Sequence, residues 1–292
     1  MGEKILVTGA TRSVGNAVVR LLADQGVYVR AAASNLEKAR QMGWHGVEIV
    51  PFDYNDPATY ASVFDGMTRL LLVMPPGYFE EHDQAVTGLV DFGQRAGISH
   101  IVFISALGTE KFYLSSQWVV EQHLQKCGVP HTILRSGWFF QNFCDDVVLR
   151  TSLLNDEFFV AFGEEARVSG VDVRDVASVA GHVLTTDGHA NRIYSLGEYA
   201  MTGAEMAEVF AEVLKRPIRA VYISEHEAAQ NLRRAGVPRQ VAKWWRIVYQ
   251  LMRQGVYDAT IPDISRVLGR PSIPFKQYVQ EHVACWQSGY SV

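Results

Sequence analysis

The first 135 residues alternate between short apolar runs and segments with helical periodicity, and this alternation constrains the fold more than any other feature. The runs have the length of strands and are mostly apolar, as strands buried on both faces of a sheet are. Between the first two runs, Val14, Val18 and Leu22 form an apolar stripe with helical spacing. The strand-like runs occupy residues 4–8, 27–33, 47–50, 69–74, 100–104 and 131–134. The pattern predicts an α/β fold with a doubly wound parallel sheet, the Rossmann arrangement.

A region with a different pattern begins near residue 136. It opens with an aromatic block between Trp138 and Phe143, and the pattern alone leaves open whether these rings form core or a ligand site. Helical patterns then cover residues 173–184, 204–214, 225–235 and 239–253. We therefore expect a dinucleotide-binding domain from residues 1–135 and 171–197. Residues 136–170 and 198–292 should form a smaller, mainly helical substrate-binding domain.

A glycine-containing loop directly follows the first strand and precedes the first helix. A dinucleotide fold needs small residues at this turn, because backbone N–H groups and the helix N-terminus must face a pyrophosphate. Gly9 and Gly15 fit this need, whereas Arg12 stands where the middle glycine of the usual spacing would be. The loop predicts phosphate contacts from Gly9, Thr11, Arg12, Ser13 and Gly15. The alternative is a tight strand-to-helix turn without a ligand.

The end of the second strand indicates which dinucleotide is preferred. An acidic residue there binds the ribose 2′-hydroxyl of NAD, whereas a cation suits the 2′-phosphate of NADP. No Asp or Glu occurs between Asp24 and Glu37. Arg12, Ser34 and Lys38 are instead able to reach a phosphate, although Lys38 could equally be a solvated helix charge. The sequence therefore predicts NADP(H) in preference to NAD(H).

Two further segments follow predicted strands at the edge where a cofactor would lie. Asp53 comes after the third strand, where it would border an adenine ring or cap the next helix. Met74 and Pro75 end the fourth strand in a rigid turn that would border the cofactor. We include Asp53, Met74 and Pro75 among the predicted cofactor contacts.

Composition excludes several classes of protein. The formal net charge is −4, and no run of Lys or Arg is present to neutralise nucleic-acid phosphates. The longest apolar run, residues 70–76, is too short to span a membrane. The three cysteines are widely spaced, so we expect reduced thiols, and the histidine spacings indicate no metal site. We expect a cytoplasmic monomer or homodimer with a hydrophobic or aromatic small-molecule substrate, and with neither nucleic-acid nor membrane partners.

Several short motifs, in this order, resemble those of the NmrA-like branch of atypical short-chain dehydrogenase/reductases, which includes type 2 quinone reductases and triphenylmethane reductase. The matching stretches are residues 8–11 with Gly15, 35–39, 52–54, 96–102, 133–135, 140–142, 171–177 and 268–271. They cover nearly the whole chain. The resemblance implies a dinucleotide-binding sheet with a small C-terminal substrate domain. It does not imply one reaction, because the family includes reductases and non-catalytic cofactor sensors.

The catalytic positions of short-chain dehydrogenases are only partly kept. Ser105 and Tyr113 fall at plausible positions, but Gln117 stands where the lysine that lowers the tyrosine pKa would be. An unperturbed tyrosine, with a pKa of about 10, is about one part in a thousand phenolate at pH 7, too little for alcohol oxidation. Reduction needs no phenolate, because a neutral Tyr113 can still donate a proton to an acceptor. We take Ser105, Tyr113 and Gln117 as the predicted catalytic residues.

These observations favour an NADPH-dependent oxidoreductase that transfers hydride to a conjugated or aromatic acceptor, such as a quinone, enone, imine or dye-like cation. Trp138, Phe140 and Asn142 are the predicted acceptor contacts, and neutral Gln117 beside aromatic rings would tolerate a cationic acceptor. The alternative is a non-catalytic redox sensor that binds NADP(H) and acts through a protein partner.

Overall fold

The computed structural model describes residues 2–74, 80–113 and 115–287. Two compact units make up the chain. The first unit comprises residues 1–136, 173–195 and 267–269, and the second comprises residues 137–172, 196–266 and 270–292. Each unit is thus assembled from segments that are separated in the sequence.

The strands are β1 Lys4–Val7, β2 Tyr28–Ala33, β3 Glu48–Pro51, β4 Arg69–Val73, β5 His100–Ala106, β6 His131–Ser136, β7 Trp138–Phe139, β8 Glu157–Val160, β9 Val168–Val171, β10 Arg192–Gly197, β11 Tyr199–Met201, β12 Arg219–Tyr222 and β13 Ile261–Pro262. The α-helices are α1 Ser13–Asp24, α2 Leu36–Gln41, α3 Tyr60–Phe64, α4 Glu80–Arg95, α5 Ser116–Leu124, α6 Asn142–Asp145, α7 Val147–Leu154, α8 Val173–Thr185, α9 Gly203–Leu214, α10 Glu225–Arg234, α11 Arg239–Arg253, α12 Asp263–Leu268 and α13 Phe275–Glu281. Short 3-10 helices occupy Pro57–Thr59, Thr109–Lys111 and Val283–Trp286.

The main sheet has the strand order β13-β10-β6-β5-β4-β1-β2-β3. Strands β1 to β6 pair in parallel, so their carboxyl ends lie along one edge of the sheet. The order reverses direction after β3, since β4 returns to pair with the other side of β1. This is the doubly wound arrangement that the alternating pattern predicts, and that prediction is confirmed. In such sheets ligands bind outside the carboxyl ends of the strands.

Helices cover both faces of the parallel strands in the first unit. On one face, Leu70 and Leu72 pack in a core cluster with residues of α3, α4 and α5. Leu71 points to the opposite face because side chains alternate along a strand, and α1 and α8 pack against each other and against the sheet on that face. Gly181 of α8 permits this packing, since a Cβ there would lie 2.8 Å from the Cδ2 atom of Leu21. Burial on both faces explains why these strands are mostly apolar.

An aromatic core organises the second unit. Phe143 lies at its centre, with ring centroids 4.9 Å from Trp138, 5.1 Å from Phe210 and 5.2 Å from Phe275. These residues come from β7, α6, α9 and α13, so the core joins the beginning of the unit to its end. Two small sheets, β11-β9-β7 and β12-β8, pack with the helices of this unit. The aromatic block of the sequence is therefore largely core.

A disulfide joins Cys144 of α6 to Cys285 of the last 3-10 helix across 141 residues of sequence. The expectation of three reduced thiols is therefore wrong for this pair, and only Cys127 is a free thiol. Trp286, beside Cys285, donates a hydrogen bond from Nε1 to the backbone oxygen of Phe143 at 3.1 Å. The aromatic core thus brings together two cysteines whose sequence spacing gives no sign of pairing.

Removing this disulfide should lower the free energy of unfolding by about 2–4 kcal/mol, because the cross-link restricts the unfolded chain. Urea unfolding of the Cys144→Ser variant and of the wild type, both without reductant, measures the loss. Cys127→Ser is the matched control and should change little. A wild-type unfolding midpoint that is the same with and without dithiothreitol would contradict this assignment.

Candidate functional site

The loop after β1 is held to the end of β4 by one buried hydroxyl. Thr8 Oγ accepts a hydrogen bond from the backbone N–H of Val73 at 2.9 Å and donates to the backbone oxygen of Leu71 at 3.2 Å. Gly9 then turns the chain with a φ of +58°, and a Cβ there would lie 3.1 Å from the Cβ of Val73. Glycine is therefore needed both for the left-handed backbone and for the close approach to β4.

The start of α1 lies against this loop and offers its N-terminus to a ligand. A Cβ on Gly15 would lie 2.3 Å from the backbone oxygen of Gly9, so no larger residue fits without moving the loop. Arg12 occupies the N-cap position, makes no side-chain cap, and no acidic residue lies in the first turn. The first N–H groups of α1 therefore lack an internal anionic partner, which is the arrangement that binds phosphate.

Arg12 places a positive charge beside this helix end. Its side chain is exposed and forms neither an ion pair nor a hydrogen bond within the described part of the chain. Neighbouring protein atoms still remove part of the water around its guanidinium, which lowers the pKa, and Tyr54 makes a smaller opposing contribution. Arginine keeps its proton even so, because its ordinary pKa is above 12. A permanent positive charge therefore lies beside the helix N-terminus.

A cavity of about 220 Å³ opens at the carboxyl ends of β1, β2 and β4. It is smaller than the 300–1,000 Å³ typical of a complete ligand site, so it would accommodate only part of a dinucleotide. The lining residues are Gly9, Thr11, Arg12, Ala32, Ala33, Ser34, Phe52, Asp53, Tyr54, Asn55, Val73 and Met74. Six of the predicted cofactor contacts line this one cavity: Gly9, Thr11, Arg12, Ser34, Asp53 and Met74.

The other predicted cofactor contacts lie around the cavity or beyond it. Gly15 is buried under the loop, and Ser13 is the exposed first residue of α1. Lys38 is exposed on α2, where its backbone N–H donates to the N-cap side chain of Asn35 at 2.9 Å. Pro75 lies outside the described residues. The structure therefore groups Arg12 and Ser34 at the cavity and leaves Lys38 off its wall.

Asp53 faces the cavity rather than capping a helix. Its carboxylate accepts a hydrogen bond from the backbone N–H of Asn55 at 2.9 Å, and Asp56 is the residue that caps the 3-10 helix Pro57–Thr59. Tyr54, which is not among the predicted cofactor contacts, donates from Oη to the backbone oxygen of Val73 at 2.5 Å. Burial raises the pKa of Tyr54, so the phenol stays neutral. The alternation of Phe52, Asp53 and Tyr54 directly after a strand is the sequence feature that could have indicated Tyr54 as part of the cavity.

The predicted catalytic residues do not form one hydrogen-bonded group. Ser105 is buried at the carboxyl end of β5, where its hydroxyl donates to Glu121 at 2.5 Å. Tyr113 is 67% exposed and its ring lies edge-on to Trp118, with a centroid distance of 6.1 Å. Gln117 is half-buried on α5, and neither it nor Tyr113 makes a side-chain hydrogen bond within the described residues. The structure therefore pairs Ser105 with Glu121 rather than with Tyr113.

A buried charged network, absent from the predicted site, lies behind Ser105. The fully buried Glu121 accepts two hydrogen bonds from Arg135, from Nε at 3.1 Å and from Nη2 at 2.6 Å. Arg135 also donates from Nη1 to Glu110 at 2.7 Å. Burial acts to lower the pKa of Arg135, but the hydrogen bond and charge of Glu121, with the charge of Glu110, outweigh it and raise that pKa. In the sequence, the only indication of this network is that Glu121 lies four residues after Gln117, on the same side of the predicted helix.

The predicted acceptor contacts belong to the second unit, and two of them are core residues. Trp138 is 5% exposed, and Phe140 packs against Phe275 at 5.0 Å. The indole N–H of Trp138 is nevertheless buried without a hydrogen-bond partner among the described residues. Asn142 is half-buried at the start of α6, and within the same described part its amide makes no hydrogen bond. The unpaired polar groups of this trio are therefore the buried Trp138 N–H and the half-buried Asn142 amide.

Comparison with known proteins identifies the family of this chain. The sequence profile of the NmrA-like family matches residues 1–269. The chain belongs to the NmrA-like family. The family resemblance inferred from the short motifs is therefore confirmed, and the expected fold is confirmed with it.

Relatives with assigned activities match the chain over nearly its whole length. An NAD(P)H azoreductase of Xenophilus azovorans is 29% identical over 289 residues, which is 97% of this chain and 99% of the relative. The (4-alkanoyl-5-oxo-2,5-dihydrofuran-3-yl)methyl phosphate reductase of Streptomyces griseus is 32% identical over 284 residues, covering 95% and 97%. The Citrobacter sp. triphenylmethane reductase, solved with NADP(H), superposes with a TM-score of 0.83 at 26% identity, covering 95% and 99%. This NmrA-like chain is thus a relative of NAD(P)H-dependent oxidoreductases.

Among the described helices, none is long and apolar enough to cross a membrane. Within the same residues, no three His, Cys, Asp or Glu side chains come together as a metal site.

Gly15→Ala should disrupt the loop after β1, where phosphate contacts are predicted, because the added Cβ overlaps the backbone oxygen of Gly9. We expect the free energy of unfolding to fall by about 1–3 kcal/mol, as for other overpacked sites, and NADPH binding to be lost. Thermal unfolding and NADPH titration measure the two effects. Gly88→Ala in α4 is the matched control, since a Cβ there meets nothing within 4 Å and alanine favours a helix. Unchanged NADPH affinity in Gly15→Ala would rule out this loop as the cofactor site.

Proposed function

We propose that this protein is an NADPH-dependent reductase that transfers hydride to a conjugated or aromatic acceptor. The observation that carries the proposal is the uncapped N-terminus of α1 beside an unpaired Arg12 at the mouth of the cavity. That arrangement suits a dinucleotide diphosphate and an additional phosphate group. The names of the azoreductase, the phosphate-bearing furanone reductase and the triphenylmethane reductase support the same class of reaction.

The residues near Ser105 favour an acceptor that needs little help from a protein acid. When bound, NADPH supplies a hydride, that is two electrons and one proton, to the acceptor. The Ser105 proton is shared with Glu121, Arg135 is held by two carboxylates, and Gln117 is uncharged. Tyr113 remains as the one proton donor of the predicted trio. An electron-poor π-system spreads the added negative charge itself, or is neutralised if it begins as a cation, and then takes any further proton from solvent.

The two units would divide the work. We assign cofactor binding to residues 1–135 and 171–197, and acceptor binding to residues 136–170 and 198–292, with the Trp138 indole N–H and Asn142 as polar contacts. A cytoplasmic location and a monomeric or homodimeric state belong to the same proposal. A reducing compartment contains thiol reductants, so the Cys144–Cys285 pair would be a disulfide or two thiols there according to the redox potential of that compartment.

The acceptor class predicts which compounds oxidise NADPH. We expect at least one of four compounds to accept hydride: a quinone, an azo dye, an activated enone or a triarylmethane cation. The reaction is measured as loss of the absorbance of the reduced nicotinamide. An aliphatic aldehyde should react at least about 100-fold more slowly, because a positioned proton donor contributes about 10²- to 10⁴-fold to such a reduction. Fast reduction of the aldehyde alone would contradict the acceptor class.

A second function is favoured by one observation: Ser105, Tyr113 and Gln117 do not form a hydrogen-bonded group. A redox sensor needs to bind NADP(H) but needs no proton relay. Tight NADPH binding without oxidation by any acceptor, together with a protein partner that is recovered at only one NADP/NADPH ratio, would favour this alternative over the reductase.

The proposed preference for NADP(H) depends on Arg12. Arg12→Gly should weaken NADPH binding by about 10-fold or more, since a charge-assisted hydrogen bond to phosphate is lost. NADH binding should change by less than about 3-fold, because NADH has no 2′-phosphate to interact with. Fluorescence titration with both dinucleotides provides the comparison, and Arg12→Lys, which keeps the charge, is the control. Equal losses for NADPH and NADH would overturn the assignment of Arg12.

A further inference from the structure

The carboxylate of Glu121 is fully buried, which is uncommon for an acidic side chain. Such burial is costly unless the charge is paired and hydrogen-bonded. Glu121 meets both conditions, with two hydrogen bonds from Arg135 and one from the hydroxyl of Ser105. Arg135 has the exposed Glu110 as a second acidic partner, so the guanidinium alone does not require Glu121. The contact between Glu121 and Ser105 thus needs its own account.

The direction of that hydrogen bond is settled by its neighbours. A carboxylate paired with a guanidinium accepts only, so Ser105 donates its single proton to Glu121. Thr109 lies 3.4 Å from the Ser105 oxygen, but its own proton goes to the backbone oxygen of Ala106 at 2.6 Å. Ser105 therefore receives no strong hydrogen bond from Thr109. Its oxygen can accept a hydrogen bond from a ligand, and it has no proton left to donate.

Ser105 also stands at the edge of the sheet where a dinucleotide would extend. It lies at the carboxyl end of β5, which pairs with β4, and the last residue of β4, Val73, lines the cavity with Gly9. Ligands of open α/β sheets lie outside these strand ends. Ser105 keeps 3% of its surface exposed, whereas Glu121 keeps none, so only the serine can touch a ligand.

We propose that Glu121 is a positioning residue that holds the Ser105 hydroxyl as a pure acceptor for the carboxamide N–H of the nicotinamide ring. This inference rests on the proposed function, because it requires a nicotinamide dinucleotide in the site. Glu121 and Ser105 would then orient the ring. Gln117, which stands at the lysine position, and the exposed Tyr113 do not do so. The site would then discriminate between a carboxamide and a group that only accepts hydrogen bonds.

The test compares the binding of NADP⁺ with that of its 3-acetylpyridine analogue, whose acetyl group accepts hydrogen bonds but has no N–H. Calorimetric titration of the whole protein gives both affinities without turnover. The wild type should bind NADP⁺ about 3- to 10-fold more tightly than the analogue, the range expected for one hydrogen bond. Ser105→Ala should bind the two compounds about equally, and Glu121 and Arg135 remain paired in that variant.

Glu121→Gln tests the positioning role directly. The introduced amide can keep its oxygen toward Arg135 and donate N–H to Ser105, which frees the serine proton for the acetyl oxygen of the analogue. The affinity ratio should therefore fall to 1 or reverse. Glu110→Gln makes the same change of charge at the exposed partner of Arg135, and its ratio should stay at the wild-type value.

Each outcome is decisive. Equal wild-type affinities for the two compounds, or an unchanged ratio in Ser105→Ala, would overturn this inference alone while leaving the proposed function in place. Should Glu121→Gln weaken both compounds by the same factor, Glu121 would be structural only and the positioning role would be refuted. Failure of the wild type to bind either compound would overturn the proposed function as well. If Glu121→Gln does not fold, the result for Ser105→Ala still decides.

Discussion

The hydroxyl of Thr8 joins the ends of β1 and β4, and the rest of the cofactor region depends on this contact. Parallel strands diverge where their hydrogen bonds end, and at that point the Thr8 hydroxyl gives the N–H of Val73 a partner. It also adds a second donor to the Leu71 oxygen, which accepts from the Thr8 backbone N–H as well. With the two strand ends held together, Gly9 can turn against Val73. α1 can then begin directly over the loop. The position of the helix N-terminus, and hence of any bound phosphate, follows from one side chain in the sheet.

Much of the first unit, and three helices of the second, could be predicted from the sequence because their signals are local. Six strands begin within a residue or so of the apolar runs, and α8, α9, α10 and α11 match the helical patterns closely. The need for glycine at position 15 is also a local matter, because the crowding against Gly9 follows from the strand-turn-helix order. Six predicted cofactor contacts share one cavity because parallel strands bring their carboxyl ends together.

The features that escaped prediction all depend on contacts between distant segments. Glu121 and Arg135 are ordinary charged residues in sequence, and only the β5–β6 register, which sets Ser105 opposite Arg135, shows that they share a buried site. The pairing of Cys144 with Cys285 likewise cannot be predicted without knowing that the aromatic core brings these two residues together. For Trp138 and Phe140 the sequence leaves two interpretations open. An aromatic block suits a ligand wall as well as a core, and the choice depends on partners such as Phe275 that lie far along the chain.

The disulfide has a topological consequence. Cys144 and Cys285 close a covalent ring that contains residues 145–284, and this ring includes residues 173–195, a segment of the first unit. The chain therefore leaves the second unit, contributes α8 to the first unit and returns, all inside one closed loop. A single cut of the backbone anywhere within the ring would leave the two pieces linked through sulfur. Oxidised protein nicked once between residues 145 and 284 would therefore remain one covalent molecule, and separate fragments would emerge only after reduction.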